Sequence, residues 1–319
     1  MSTPSSHRKP IDSFGTGMML AVCLTLSLQQ IAMKLTIADV SPTLQIALRS
    51  LVAGIVLLVL VLRREGPNAF LDGTLAPGLA AGVLYGLEFL LVALALHYTT
   101  AGHVIVFLYT SPIFTALGLH FKLAEERMNV RQWLGVGLAF VGIALAFLSK
   151  HDNAHVSAAN MLVGDLMSMA GGAVWGLTTV LVRCSSLSNA WPHKMLFYQL
   201  LMATVMLLAA YWIGSEPAPV WSPAAWLGLG YQIVFVCLWG FLMWFWLLRR
   251  YLATQLSVMS FLTPIFGVIF GALILDEPLE TGFVAGSLLA LAGIVLVVRG
   301  KRAPARARAA AWVSSTPKR

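Results

Sequence analysis

Ten long apolar runs, with nearly all the charge confined to the gaps between them, limit what this chain can fold into more than any single motif does. They lie near 14–33, 43–62, 75–96, 103–121, 132–149, 162–182, 195–213, 224–248, 255–275 and 282–298. A bilayer core of about 30 Å is crossed by about 20 mostly apolar residues in a helix, so each run predicts one transmembrane helix. The expected class is an all-α integral membrane protein with ten transmembrane helices. Composition excludes the soluble alternative: 59% of the residues are hydrophobic, 11% are charged and the mean hydropathy is +0.82, against roughly 25% charged residues in a soluble domain. The net charge of +8 does not indicate nucleic acid, because the basic residues are scattered through short gaps and form no single face.

The basic residues do sort by side. With the N-terminus in the cytoplasm, 18 of the 21 Lys and Arg fall inside: Arg8 and Lys9, Arg63 and Arg64, Lys122, Arg127 and Arg131, Arg183 and Lys194, Arg249 and Arg250, and the seven of the tail. This is the cytoplasmic excess of the positive-inside rule, and it predicts that both termini are cytoplasmic. Only Lys150 falls alone outside, while Lys34 and Arg49 lie at or within spans. The apolar run after Arg8 and Lys9 is too long for a signal-peptide core and reads as a retained span. Cys23, Cys184 and Cys237 form no CxxC pair, have no histidine at metal-ligand spacing, and read as small buried apolar side chains. No cofactor and no metal are expected.

TSPIF at 110–114 returns as LTPIF at 262–266, a proline inside an apolar run both times. An offset of 149 residues places Gly15 on Gly164, Lys34 on Arg183 and Arg49 on Tyr198; one of 152 places Ala101 on Ala253 and Pro112 on Pro264; one of 151 places Glu126 on Glu277, Gly135 on Gly286 and Gly142 on Gly293. The halves are copies of five spans each. Five is odd, so the second copy enters from the opposite side, the inverted-repeat plan of secondary transporters. The organisation that follows is an N-terminal tail (1–13), a first repeat (14–149), an external linker (150–161), a second repeat (162–298) and a basic, disordered cytoplasmic tail (299–319). Each proline frees a carbonyl one turn back, Leu108 for Pro112 and Ser260 for Pro264. Thr110, Ser111 and Thr263 are placed to satisfy such groups, so Ser111, Pro112, Thr263 and Pro264 are the expected helix breaks or hinges.

SPIFTALGLHFKLAEERMNVRQWLGVGLAFVGI at 111–143 and TPIFGVIFGALILDEPLETGFVAGSLLALAGI at 263–294 resemble the duplicated EamA-type unit of the drug/metabolite transporter superfamily. Each has a Ser/Thr-Pro helix, a Glu in a short loop (Glu126, Glu277) and a Gly-punctuated last helix, and GGAVWGLTTVLVR at 171–183 is similar to the family's first repeat helix. The resemblance covers roughly 14–298. It implies ten helices around a central cavity, the fifth and tenth set apart, and a metabolite transporter, often a bacterial inner-membrane exporter.

An ionisable side chain inside a span costs about 2.5–3.5 kcal/mol on insertion scales and marks a functional site by default. Arg49 and Glu88 lie well inside, roughly 9 and 12 Å below the same outer boundary at 1.5 Å per residue. They are expected to share one level of the cavity and to pair when it is empty. Gln30 reaches a similar depth, and Lys34 and His103 lie nearer the outer rim. Tyr85, Tyr109, Trp175, Tyr198 and Trp239 are candidate aromatic walls. Arg49 for a carboxylate and Glu88 for an amine or a coupling proton indicate a zwitterionic, amino-acid-like solute carried by alternating access. The expected partners are that solute and the lipid bilayer, with the chain a monomer or a homodimer. The alternatives are a membrane-embedded enzyme and a non-transporting sensor or scaffold. No GxxxxGK[ST], HExxH or GxSxG motif supports ATP-driven or hydrolytic chemistry.

Overall fold

The computed structural model describes residues 11–123, 128–148, 158–251, 256 and 259–299. Expectations that rest on Arg8, Lys9, Glu126, Arg127, Lys150, Ala253 and the tail beyond Arg299 lie outside these residues.

The described chain is helical. Its helices are α1 (Ser13–Leu35), α2 (Pro42–Glu65), α3 (Leu75–Tyr98), α4 (Ala101–Leu108), α5 (Ser111–Lys122), α6 (Val130–Leu148), α7 (Ala158–Arg183), α8 (Pro192–Ile213), α9 (Pro223–Tyr231), α10 (Leu242–Arg250), α11 (Leu262–Ile274) and α12 (Thr281–Arg299). Their starts follow local chemistry. The Asp12 carboxylate accepts from Gly15 N at 2.8 Å, the Ser41 hydroxyl precedes Pro42, and the Ser222 hydroxyl accepts from Ala225 N at 3.1 Å, each satisfying a backbone donor that the first turn leaves open.

Among the described residues, seven helical segments are long and apolar enough to cross a bilayer: α1, α2, α3, α4 continued by α5, α7, α8, and α9 continued to Trp244. Shorter apolar helices occupy Val130–Ala146, Leu262–Ile274 and Thr281–Val297. Large apolar side chains such as Ile55, Leu134, Val141 and Leu288 are exposed on the outside. In water this surface would be a liability, whereas lipid accepts it.

The proline prediction is refined. Pro112 does not kink one continuous helix; α4 ends at Leu108 and Pro112 sits in the first turn of α5. There its missing N–H would have no intrahelical partner anyway. The Thr110 hydroxyl donates to Phe107 O at 2.7 Å, one residue from the carbonyl expected to be freed. Pro264 likewise stands in the first turn of α11. Span eight also departs from a plain helix, because Gln232–Phe241 is π-helical, a wide turn that is rare and recurs at functional sites. Helix α7 starts at Ala158, four residues ahead of the expected 162.

Packing follows the repeat. Helix α1 lies on α11 as α7 lies on α5, α2 lies on α8, and α6 lies on α12. The α6–α12 contact is self-complementary. A Cβ on Gly142 would meet Gly286 O at 2.6 Å, and one on Gly286 would meet Gly142 O at 2.6 Å. One side-chain carbon at either position would force the backbones apart. The other large core joins α1, α2, α3, α4 and α8, with α7 packed against it. Of the cysteines, Cys23 and Cys237 are buried as expected, but Cys184 is exposed, because it follows the last residue of α7.

Candidate functional site

Arg49 on α2 is fully buried. Its Nη1 donates to Gln232 Oε1 at 3.2 Å, Gln232 Nε2 donates to Gln45 Oε1 at 2.8 Å, and Gln45 Nε2 donates to Val40 O at 2.7 Å. Gln45 and Arg49 share a face because four residues make about one turn, and Gln232 is delivered by the first residue of the π-helical turn. The guanidinium lies over the Phe89 ring at 4.8 Å, a cation–π contact. Glu88, 4% exposed, precedes Phe89 on α3, and Tyr85 packs on Phe89 with ring centroids 4.7 Å apart.

The direct Arg49–Glu88 ion pair expected from the sequence does not form; Gln232 takes the guanidinium instead. The two charges still lie within electrostatic reach of each other and of Tyr85. Several polar atoms in this interior have no hydrogen-bond partner: Arg49 Nε and Nη2, Glu88 Oε2, Tyr85 Oη and, on α1, Gln30 Oε1. Buried polar groups are otherwise almost always paired, so this set of open donors and acceptors is the feature that distinguishes the region.

Tyr109 stands at the α4–α5 break, buried, with its ring edge-on to Trp175 at 5.4 Å. The Thr263 side chain, beside Pro264, approaches the Tyr109 phenol and Cys23, so the two proline breaks meet in the interior. Ser111 is buried there too. The structure thus draws together Arg49, Tyr85 and Glu88, and joins Tyr109 to Trp175 and Thr263.

Two sequence candidates lie elsewhere. Trp239 packs in the cluster of Met19, Cys23 and Tyr251. Tyr198 sits one turn past Lys194, with its hydroxyl 3.1 Å from Thr74 Oγ1. That end of the molecule is an ionic knot. Lys194 donates to Asp72 at 2.6 Å, to Glu65 at 3.1 Å and to the Ala69 carbonyl. Burial alone would raise the Asp72 carboxyl, but hydrogen bonds from Lys194 and Thr74 outweigh it and hold it down at about 2.

A second cluster forms around Asp165, which the sequence analysis did not single out, and it gathers Lys34 and His103, expected nearer the outer rim, with Glu277. Asp165 on α7 is fully buried, accepts from the Thr99 hydroxyl at 2.6 Å, and holds both carboxylate oxygens 3.0 Å from His103 Nδ1. His103 stacks on Phe283 at 3.7 Å. Nearby, Lys34 Nζ donates to Leu96 O at 2.5 Å and Thr99 O at 2.8 Å. Glu277 accepts from the N–H groups of Ala101 at 2.6 Å and Gly102 at 3.0 Å. An acidic residue early in an apolar span was the available signal for Asp165. Gln45, one turn from a buried arginine, was the signal for the glutamine relay. Gln232 carried none, since its partners Arg49 and Gln45 lie far away in the chain. Among the described residues no group of three or more His, Cys, Asp or Glu side chains could hold a metal ion.

Comparison with known proteins adds the following. The family model described as "EamA-like transporter family" matches residues 13–148 and again residues 162–299. The uncharacterized transporter YoaV of Bacillus subtilis (strain 168) is 24% identical over 279 residues, covering 87% of this chain and 94% of YoaV. A probable amino-acid metabolite efflux pump of Salmonella typhimurium (strain LT2) is 22% identical, covering 91% of this chain and 96% of the pump. One crystal structure, 19% identical, superposes with a TM-score of 0.61 over 90% of this chain and 96% of that one, a likeness of fold.

Proposed function

Because the chain belongs to the EamA-like transporter family, and is a multi-pass membrane protein by its apolar helices, we propose that it is a secondary transporter exporting a small zwitterionic, amino-acid-like solute across a bacterial inner membrane. Its binding site is the interior around Arg49, Tyr85 and Glu88. All ten apolar segments cross the bilayer, as two inverted repeats with both termini in the cytoplasm, an orientation supported by the one-sided distribution of Lys and Arg.

One observation carries the solute class. Open donors on Arg49 (Nε, Nη2) and open acceptors on Glu88 (Oε2) and Gln30 (Oε1), with Tyr85 Oη able to serve either way, are buried and unpartnered. A single unpaired charge in a span is costly, and two of opposite sign are satisfied together by a ligand carrying both. A carboxylate takes the free guanidinium edge in a bidentate bond, an ammonium takes Glu88, and the Gln45–Gln232 relay keeps the guanidinium in place. The amino-acid metabolite pump of Salmonella supports the same class. Tyr109, Trp175 and Thr263 at the proline breaks supply the part of the wall that moves, with Ser111, Pro112 and Pro264 as hinges. No cofactor and no nucleic acid take part; the partners are solute and lipid.

The test is a thermal-shift screen of the detergent-purified protein against the twenty amino acids, nucleosides and sugars, run beside Arg49→Lys, which retains the charge but not the fork. A ligand at about 100 times its dissociation constant adds about 2.7 kcal/mol. Amino acids are expected to stabilise the native protein and not the variant. Stabilisation by nucleosides or sugars alone, or amino-acid stabilisation that survives in Arg49→Lys, overturns the assignment.

A further inference from the structure

Resting on the transport reading above, we propose that Thr263, with Tyr109 and Cys23 beside it, forms a subsite for the solute's side chain. It selects a neutral amino acid whose side chain carries a hydroxyl or a thiol.

The observation that carries this is a hydroxyl left open. In the apolar helices the hydroxyls of Ser168, Thr178 and Thr204 donate to the carbonyl four residues back, at 2.8, 2.9 and 2.8 Å. That back-bond is an ordinary way for Ser or Thr to be satisfied within a helix. At the first proline break the Thr110 hydroxyl is likewise spent locally, on Phe107 O. Thr263, at the second break, is 1% exposed, and its Oγ1 completes no hydrogen bond. The carbonyl four residues before it, Met259 O, accepts instead from the Cys23 thiol at 3.4 Å. Thr43, Ser50 and Ser287 also keep open hydroxyls, but Thr263 is the one that lies against Tyr109.

Tyr109 joins this hydroxyl to the solute site. Gly171 of α7 adjoins both Glu88 and the α4–α5 break, since a Cβ there would meet Glu88 O at 3.6 Å and Leu108 Cδ1 at 3.5 Å. Tyr109 follows Leu108, lies within electrostatic reach of Glu88, and meets the ring of Trp175 one turn further along α7. An amino acid with its carboxylate on Arg49 and its ammonium on Glu88 then turns its side chain toward Tyr109, Thr263 and Cys23.

The lining sets the chemical class. It offers a free hydroxyl, a phenol and a thiol whose hydrogen is already spent on Met259 O, so it can both donate to and accept from a hydroxyl or thiol. None of the three carries a charge, and Glu88 is taken by the ammonium, so a charged side chain would be buried without a counter-ion. An apolar side chain of the same shape would leave the Thr263 hydroxyl unpaired, a loss of about tenfold in affinity. A site that hydrogen-bonds a ligand hydroxyl rejects the analogue lacking it more strongly than an apolar site rejects an added hydroxyl.

The experiment uses two matched pairs of probes, L-threonine with L-valine and L-serine with L-alanine. It reads the concentration of each that half-saturates the thermal stabilisation of the full-length protein in detergent. In the native protein, threonine and serine are each expected to half-saturate at a concentration about tenfold below that of the partner. In Thr263→Val, which keeps the shape and removes the hydroxyl, threonine weakens to the level of valine while valine is unchanged. Thr263→Ser keeps the preference. Valine binding as tightly as threonine to the native protein overturns the proposal without recourse to any variant, and so does a preference that survives in Thr263→Val. The two readings fail differently. If both members of each pair bind equally and Arg49→Lys abolishes both, the solute site stands and the subsite falls. If no amino acid stabilises the native protein, the solute assignment fails and the subsite fails with it.

Discussion

Gly78 of the first repeat and Gly230 of the second occupy matching positions, yet their surroundings differ. A Cβ on Gly78 would meet the Tyr198 ring at 2.5 Å, and one on Gly82, a turn later, would meet Met202 Cγ at 2.7 Å, whereas nothing lies within 4 Å of a Cβ on Gly230. Helix α3 is thus pressed along α8 at this point, while the matching glycine near the end of α9 faces open space even though α9 packs Ala225 on Leu44 of α2. The equivalent positions on α2 and α8 differ as well, since Tyr198 stands where the other repeat has Arg49. One repeat uses the position for packing and a hydroxyl bond to Thr74; the other uses it for a buried charge with open donors. The repeat has kept one scaffold, and different residues at a few interior positions make one side a packed seam and the other a buried charge with open donors.

The contrast can be broken from several directions. The largest effect is expected at the charged position: Arg49→Ala reduces transport of an amino acid in proteoliposomes to the empty-vesicle level, and Glu88→Gln does the same. Tyr198→Phe, at the matching position, leaves transport within twofold of native. Equal losses at Arg49 and Tyr198 would mean that both repeats build the site. Next comes the seam. Gly82→Ala overpacks the α3–α8 contact and lowers stability by about 1–3 kcal/mol in chemical or thermal unfolding. Gly230→Ala has open space, and removing a glycine from a helix raises stability by up to about 1 kcal/mol. A destabilised Gly230→Ala would show that this space is filled in the populated state.

The ionic knot below the seam gives a smaller, pH-dependent signature. The folded carboxyl of Asp72 is held down at about 2, so its contribution is complete above the ordinary carboxylate range and is lost as pH falls through about 2. Lys194→Met is expected to flatten that acid limb of the stability curve while leaving the neutral region's slope unchanged. An unchanged acid limb would show that Lys194 does not hold Asp72. Smallest is the loss of the Tyr198 hydroxyl bond to Thr74, about 1 kcal/mol in Tyr198→Phe.

Much of the architecture was legible because its physics is local. Apolar length, Lys and Arg placement and the offset of near 150 residues are properties of the string; the glycines at 135, 142, 286 and 293 marked the repeat by recurring at matching places, while their close contact is shown by the structure alone. The polar site was legible in part. Arg49 and Glu88 stood out because ionisable groups in an apolar span are expensive wherever the helices end up. Their partners did not stand out. An ion pair was the simplest inference from equal depth, but depth says nothing about rotation about a helix axis, and Gln232 of the eighth segment takes the guanidinium where Glu88 was expected.

What the sequence determined by itself was the solvent this chain folds in, the number of its apolar segments and the duplication that relates them, because burial in lipid and repetition depend only on which residues occur and at what spacing. The tertiary structure alone decided which polar groups meet. It parted Tyr198 from Arg49, joined Tyr109 to Thr263 across the two proline breaks, and brought Lys34, His103, Asp165 and Glu277 to one turn, because the relative rotation and crossing of helices are set by packing among residues far apart in the chain.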